Sequence, residues 1–379
     1  MTIKRVFLAG AAALAVTASL AAQHTAPIQS KKDVPVRFAG TYRFADGIWV
    51  SGAARAGSRV LYNCTTPGNY YSSVGNSYLS DHLWIDEGKV QDSNSLAIDQ
   101  VNGFDFAYCT ANLNPIGNSE SVRIIFYDDY VPCTSPPAAT CDYIITGLPL
   151  STTGNTQCWG VGVDLEGGFE CSTDLADMFD TTDAGAADRF FGWAFGANPG
   201  MAGMNNMGPI LDLPCSTPLA SNGCGTGNQN SFYWDDPSGA WTGCYWFGGV
   251  PWASFSMKMY AGAKNAFAYG HANNRLGLTS SDFAAGGSVT FTVSRKGAGS
   301  ALYLVASPAP GSIVRPVGEL VVGTNFYPGV PFAMNFATGS LTAPVPAALT
   351  VAYVQAVETT GPANPASVVA LSNGLYCVG

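Results

Sequence analysis

Apolar and polar residues alternate with a period of two at many places along the chain. Val122, Ile124 and Phe126 alternate with Ser121, Arg123 and Tyr127, with Ile125 the apolar exception. Trp159, Val161, Val163 and Leu165 alternate with Gly160, Gly162 and Asp164. Phe255, Met257 and Met259 do so with Ser254, Ser256 and Lys258, and Val289, Phe291 and Val293 with Ser288, Thr290 and Thr292. Successive side chains of a strand point to opposite faces, so each run predicts one strand with a buried and a wet face. Turn-rich stretches separate the runs, which is the pattern of antiparallel sandwiches rather than of βαβ units. In 173–191, Leu175, Met178 and Phe179 share one face of a possible helix, but the Gly185-containing centre suits a loop equally well.

The chain changes character near residue 262. Every Trp precedes that point, as does every Cys except Cys377. The stretch from Tyr269 to Gly287 is polar and Gly-containing, as a linker would be. Beyond it, strands are expected near 288–293, 301–307, 319–323, 332–336, 340–342, 348–357 and 367–377. The fold class expected is all-β, with two antiparallel β-sandwich domains. One, over 23–262, is jelly-roll-like and disulfide-rich. The other, over 288–379, is immunoglobulin- or fibronectin-like, and 263–287 links them.

The first 22 residues carry Lys4 and Arg5, then an apolar run from Val6 to Val16, then small residues to Ala22. That order predicts a cleaved secretory signal, and the run is too short for a membrane span of about 20 residues. Without the leader, 15 basic residues (17 − 2) face 26 acidic ones, a net charge near −11 against −9 for the whole chain. A surface so charged repels phosphate backbones and anionic lipid, which excludes nucleic acid as a partner. The ten Cys then read as structural disulfides in an oxidising compartment, secreted, periplasmic or at the cell surface. Local pairs Cys133–Cys141, Cys158–Cys171 and Cys215–Cys224 are expected. Cys64, Cys109, Cys244 and Cys377 are left for longer closures, and a Cys244–Cys377 bond would staple the two halves.

Four stretches in the first half carry a resemblance: Val60-Leu61-Tyr62-Asn63, Leu83-Trp84-Ile85-Asp86-Glu87-Gly88, Val101-Asn102-Gly103-Phe104-Asp105-Phe106-Ala107-Tyr108 and Arg123-Ile124-Ile125-Phe126-Tyr127-Asp128-Asp129. In the tail, Gly286-Gly287-Ser288-Val289-Thr290-Phe291, Tyr353-Val354-Gln355-Ala356-Val357 and Leu371-Ser372-Asn373-Gly374-Leu375 do the same. Together they resemble secreted two-module β-sandwich proteins of environmental bacteria. The resemblance implies export and a sandwich fold, and it brings no activity and no functional residues with it.

No Gly-x-Ser-x-Gly elbow occurs, and of the three His only His82 and His271 could serve a triad. His82 reads as a surface or half-buried strand residue and His271 as a solvated one. Paired carboxylates occur at Asp128 and Asp129, at Asp164 and Glu166, and at Asp235 and Asp236. They suit turns first, a structural Ca²⁺ second (Asp128, Asp129, Asp235, Asp236) and glycoside hydrolysis third. No other cofactor is implied.

The densest feature is aromatic. Between Phe232 and Phe255 lie four of the eight Trp, namely Trp234, Trp241, Trp246 and Trp252, with Tyr245 among them. Neighbouring rings on one strand cannot all face one core, so Trp234, Trp241, Tyr245, Trp246 and Trp252 are candidate ligand-binding residues. Trp241, in the Gly-rich turn between Asp236 and Cys244, is expected to be more exposed than Trp246. The expected function is that of an exported, non-enzymatic structural or binding protein, with a glycan or another surface protein as partner. The alternative is a secreted carbohydrate-active enzyme using the paired carboxylates.

Overall fold

The computed structural model describes residues 28–52, 59–72, 82–88, 99–113, 121–173, 190–197, 207–212, 231–246, 253–263, 265–269, 276–294, 297, 299, 301–315, 318–323, 327, 331–361 and 368–378. The expected leader, Cys215, Cys224, His271 and most of the possible helix lie outside these residues. The described residues are all-β, without a helix, in several largely antiparallel sheets.

Two sheets enclose the first core. One is centred on the strand Asp99–Thr110, which pairs antiparallel with Gln157–Asp164 on one side and with Met257–Ala261 on the other. Gln157–Asp164 in turn runs parallel to Val36–Arg43. The second sheet has the order Gly243–Trp246, Ser231–Asp235, Leu83–Gly88, Phe190–Ala197, Ser121–Tyr130, Cys141–Thr146. The expected alternation sends Val122, Ile124 and Phe126 inward to meet Phe104, Phe106, Val161 and Met257 from the facing sheet. Rings bridge the layers: Phe104 meets Phe126 edge-on at 5.2 Å, and Trp193 meets Phe255 at 5.8 Å.

The exception at Ile125 has a structural cause. The second sheet is also buried on its outer face, where Ile85, Ile125, Tyr127, Tyr130 and Ala194 form their own cluster. Tyr127, expected on a wet face, is therefore buried. The Tyr130 ring lies so close over Gly192 that a Cβ there would sit 2.6 Å from the ring. The loop after Tyr130 crosses toward Ser231–Asp235, with Ser135 hydrogen-bonded to Tyr233 and Cys133 bonded to Cys244.

The disulfides correct two of the local pairs expected from spacing, Cys133–Cys141 and Cys158–Cys171, while Cys215–Cys224 lies outside the described residues. Cys109 stands directly opposite Cys158 in the antiparallel register and bonds to it across a Cα–Cα distance of 4.0 Å. Cys141 bonds to Cys171, and Cys133 to Cys244. Sheet register and sheet-to-sheet contact, not nearness in sequence, set these partners. Cys64 and Cys377 are buried thiols, so neither the expected complete pairing nor a Cys244–Cys377 staple occurs.

The second core lies between a five-stranded sheet and a three-stranded one. Their orders are Ala266–Tyr269, Val368–Val378, Val351–Thr359, Ala301–Ser307, Phe332–Met334, and Gly277–Ser280, Ser288–Ser294, Ser340–Pro344. Val289, Phe291 and Val293 pack here with Leu302, Leu304, Val354 and Leu375. Two strands lie within the segment expected to be a linker. Ala266–Tyr269 pairs with the last strand of the chain, and Gly277–Ser280 pairs with Ser288–Ser294. The small residues Ala266 and Gly277 hide these short strands from a hydropathy pattern. Two further hydrogen bonds tie Ala268 to Gln100 of the first core, both 2.7 Å long.

Candidate binding surface

The segment after Ser231–Asp235 turns at once. Gly239 N–H donates to the Asp236 carbonyl at 2.8 Å, and Gly239 takes a left-handed φ of 75°, which glycine adopts without strain. The Asp236 side chain organises the turn. Its Oδ1 accepts from Ser238 N–H, and its Oδ2 accepts from the Ser238 hydroxyl and from Trp241 N–H at 2.9 Å. Burial alone would raise its pKa. The donors from Ser238 and Trp241, with nearby His82, outweigh that and hold the carboxyl below its ordinary value. Asp235 moves the other way, raised by burial and by the charge on Asp236.

This turn places Trp241. Tyr245 donates its hydroxyl to the Trp241 carbonyl, and the Trp241 indole lies flat on Trp234, with centroids 5.5 Å apart and planes at 19°. Trp234 is fully buried and contacts Trp84 and Tyr245, and Tyr245 stacks on Phe232. Trp241 is the outermost ring of this pile and is 39% exposed. One indole face meets Trp234.

Behind the pile sits His82, which is buried. Trp234 Nε1–H donates to its Nδ1 at 2.9 Å, and its Nε2 lies 3.5 Å from Asp236 Oδ1. An indole N–H can only donate, so Nδ1 carries no proton and Nε2–H faces the carboxylate. The third member of this His–Asp array is an indole rather than a hydroxyl, so it is a brace for the turn and not a nucleophilic triad. The expectation of a surface or half-buried His82 is corrected. Its partner Trp234 comes from 152 residues away, and neither it nor Asp236 leaves a mark in the local sequence.

Of the five candidate rings, Trp234, Trp241 and Tyr245 come together, with only Trp241 open. Trp246 ends the strand Gly243–Trp246, its side chain outside the described set, and Trp252 lies outside it altogether. Asp164 Oδ1 accepts Glu166 N–H, which is a turn role. Asp128 is half-buried at the end of its strand, and the Asp129 side chain is not described. Among the described residues no three His, Cys, Asp or Glu are grouped to hold a metal ion.

The sequence pattern did not single out three buried carboxyls, Asp86, Glu87 and Asp212. Asp86 points into the first core, where its oxygens accept Glu87 N–H at 2.9 Å and Phe255 N–H at 2.6 Å, joining the two sheets. Burial pushes it up to about 8. Burial likewise raises Glu87, aided by Asp86, and raises Asp212 against the opposing hydroxyl of Ser256. Neither Glu87 oxygen has a hydrogen-bond partner among the described residues. Glu and Asp at the centre of an apolar strand, as in Leu83–Gly88, are the sequence signal for such groups. No family model matches this chain, and no curated protein matches it.

Proposed function

We propose that this is an exported, non-enzymatic binding protein of two β-sandwich modules, which holds a glycan against the open face of Trp241. The first module is jelly-roll-like and the second immunoglobulin- or fibronectin-like. Three disulfides support an oxidising compartment, as does the predicted leader, and no helix among the described residues is long and apolar enough to cross a membrane. The observation that carries the reading is the Trp241 indole, flat, 39% exposed and fixed by the Asp236 turn. A rigid indole face gives large contact area at little entropic cost, and the C–H face of a sugar ring is its natural complement. Asp235, half-buried beside the turn, offers an acceptor for sugar hydroxyls.

Affinity electrophoresis through gels containing soluble polysaccharides tests the reading. The parent should be retarded by at least one polymer and Trp241→Ala should not. A parent that no polymer retards contradicts it. The second reading, a carbohydrate-active enzyme, draws on adjacent carboxyls with pKa values moved apart, Asp235 up and Asp236 down. Release of reducing ends by the parent, lost in Asp235→Asn, would establish that reading in place of the first.

A further inference from the structure

His82 stands between the two residues that hold Trp241 in place. Its Nδ1 accepts the Trp234 indole N–H at 2.9 Å, and Trp241 lies flat on that indole. Its Nε2 lies 3.5 Å from Oδ1 of Asp236, the carboxylate whose Oδ2 accepts Trp241 N–H at 2.9 Å. Histidine is the side chain whose charge changes in mildly acidic solution. A second proton on this ring can go only to Nδ1, the nitrogen that already accepts the indole. Two N–H donors would then face each other across a hydrogen-bond distance, and an indole N–H has no lone pair to offer in return. The added proton and the Trp234–His82 bond therefore exclude one another.

We infer that protonation of His82 breaks its bond to Trp234 and loosens the seat of Trp241, so that the ligand face is held at neutral pH and let go in mild acid. The release of ligand rests on the reading of Trp241 as the binding face; the loosening of the indole pile does not. The groups around His82 decide how readily the proton arrives. Asp236 and half-buried Asp235, both next to Trp234, favour the charged ring. Arg123 opposes it from across Gly196 but is engaged by Asp142 at 2.9 Å. Asp81, the preceding residue, lies outside the described residues. Acid does not loosen the fold at large through its buried carboxyls, because Asp86, Glu87 and Asp212 keep their protons more firmly in the fold than in the unfolded chain. The change at Trp241 is local.

The indole N–H signals of the full chain and the Cε1–H signal of His82 are followed, without ligand, from about pH 7.5 to about pH 4.5. One midpoint shared by His82 and Trp234 is expected, with Trp241 moving at it too, and it should persist in Asp235→Asn. A Trp234 signal that stays put while His82 titrates overturns the inference, as does a His82 that never titrates. Neither result needs a ligand. His82→Gln keeps an acceptor for Trp234 and a donor for Asp236 but takes up no proton, so its Trp234 signal should not move over this range. Binding to a polysaccharide that retards the parent should weaken about tenfold across the range, the worth of one buried hydrogen bond, and should stay level in His82→Gln. Retention that ignores pH while the indoles titrate overturns the release step. No retention at any pH fails the Trp241 reading itself, a result distinct from both.

Discussion

Replacing Trp241 and Trp234 in turn by Ala should separate the two ends of the indole stack. Trp234 is fully buried, and an indole cut to Ala in a core costs about 3–5 kcal/mol. Its loss also strands His82 Nδ1 without its donor, which adds about 1–3 kcal/mol. Trp241 differs because it is already partly exposed. Its covered part, roughly 150 Å² at about 25 cal/mol/Å², sets an upper limit of about 4 kcal/mol. The stacked geometry adds about 0.5–1.5 kcal/mol. Relaxation of the exposed turn recovers part of that, so about 1–3 kcal/mol is expected for Trp241→Ala. Urea unfolding followed by circular dichroism measures both variants. Equal losses would refute the reasoning, because the outer ring would then be as much core as the inner one.

Stability should fall as pH rises from about 4 to about 8. Asp86, with Glu87 and Asp212, keeps its proton in the fold well above the pH at which the unfolded chain releases it, so folding is favoured on the acid side. Asp236 works in the opposite sense, but only below its ordinary value near 3.8. Asp86→Asn should flatten the slope of unfolding free energy against pH even though it leaves one of the two N–H donors unmatched, and an unchanged slope would contradict the assignment. Cys64 and Cys377 should resist alkylation in the native chain, because burial raises both thiols, Cys377 to about 12. Both should label once the chain is unfolded without reductant, and native labelling at either position, read by peptide mapping, would show that it is accessible. Removing Cys141–Cys171 by a double change to Ala should cost about 3–4 kcal/mol by loop closure over its separation of 30 residues. A calorimetric loss near zero would mean that the bond adds nothing the two sheets lack.

Much of the β-structure was legible because each inward face carries large side chains at period two. Val289, Phe291 and Val293 proclaim their strand, and so do Val122, Ile124 and Phe126. Ala266–Tyr269 was hidden because its inward residues are alanines, whose small side chains leave a weak pattern. Ile125 and Tyr127 showed the limit of the two-face rule, since a sheet covered on both sides has no wet face to read. The disulfide partners were illegible for a different reason. Cys109 and Cys158 meet through strand register, and register is a property of pairs of strands rather than of either one. The exposed position of Trp241 followed from its turn, whereas the His82 brace behind it depends on a contact far apart in sequence.

The indole N–H resonances of the parent, assigned with Trp241→Phe and Trp234→Phe, give the most direct test of the proposed surface. With an oligosaccharide from whichever polymer retards the protein, the Trp241 signal should shift along a saturating curve while the buried Trp234 signal moves much less. A shift confined to other indoles, or no shift at saturation, would contradict the assignment of the binding face to Trp241.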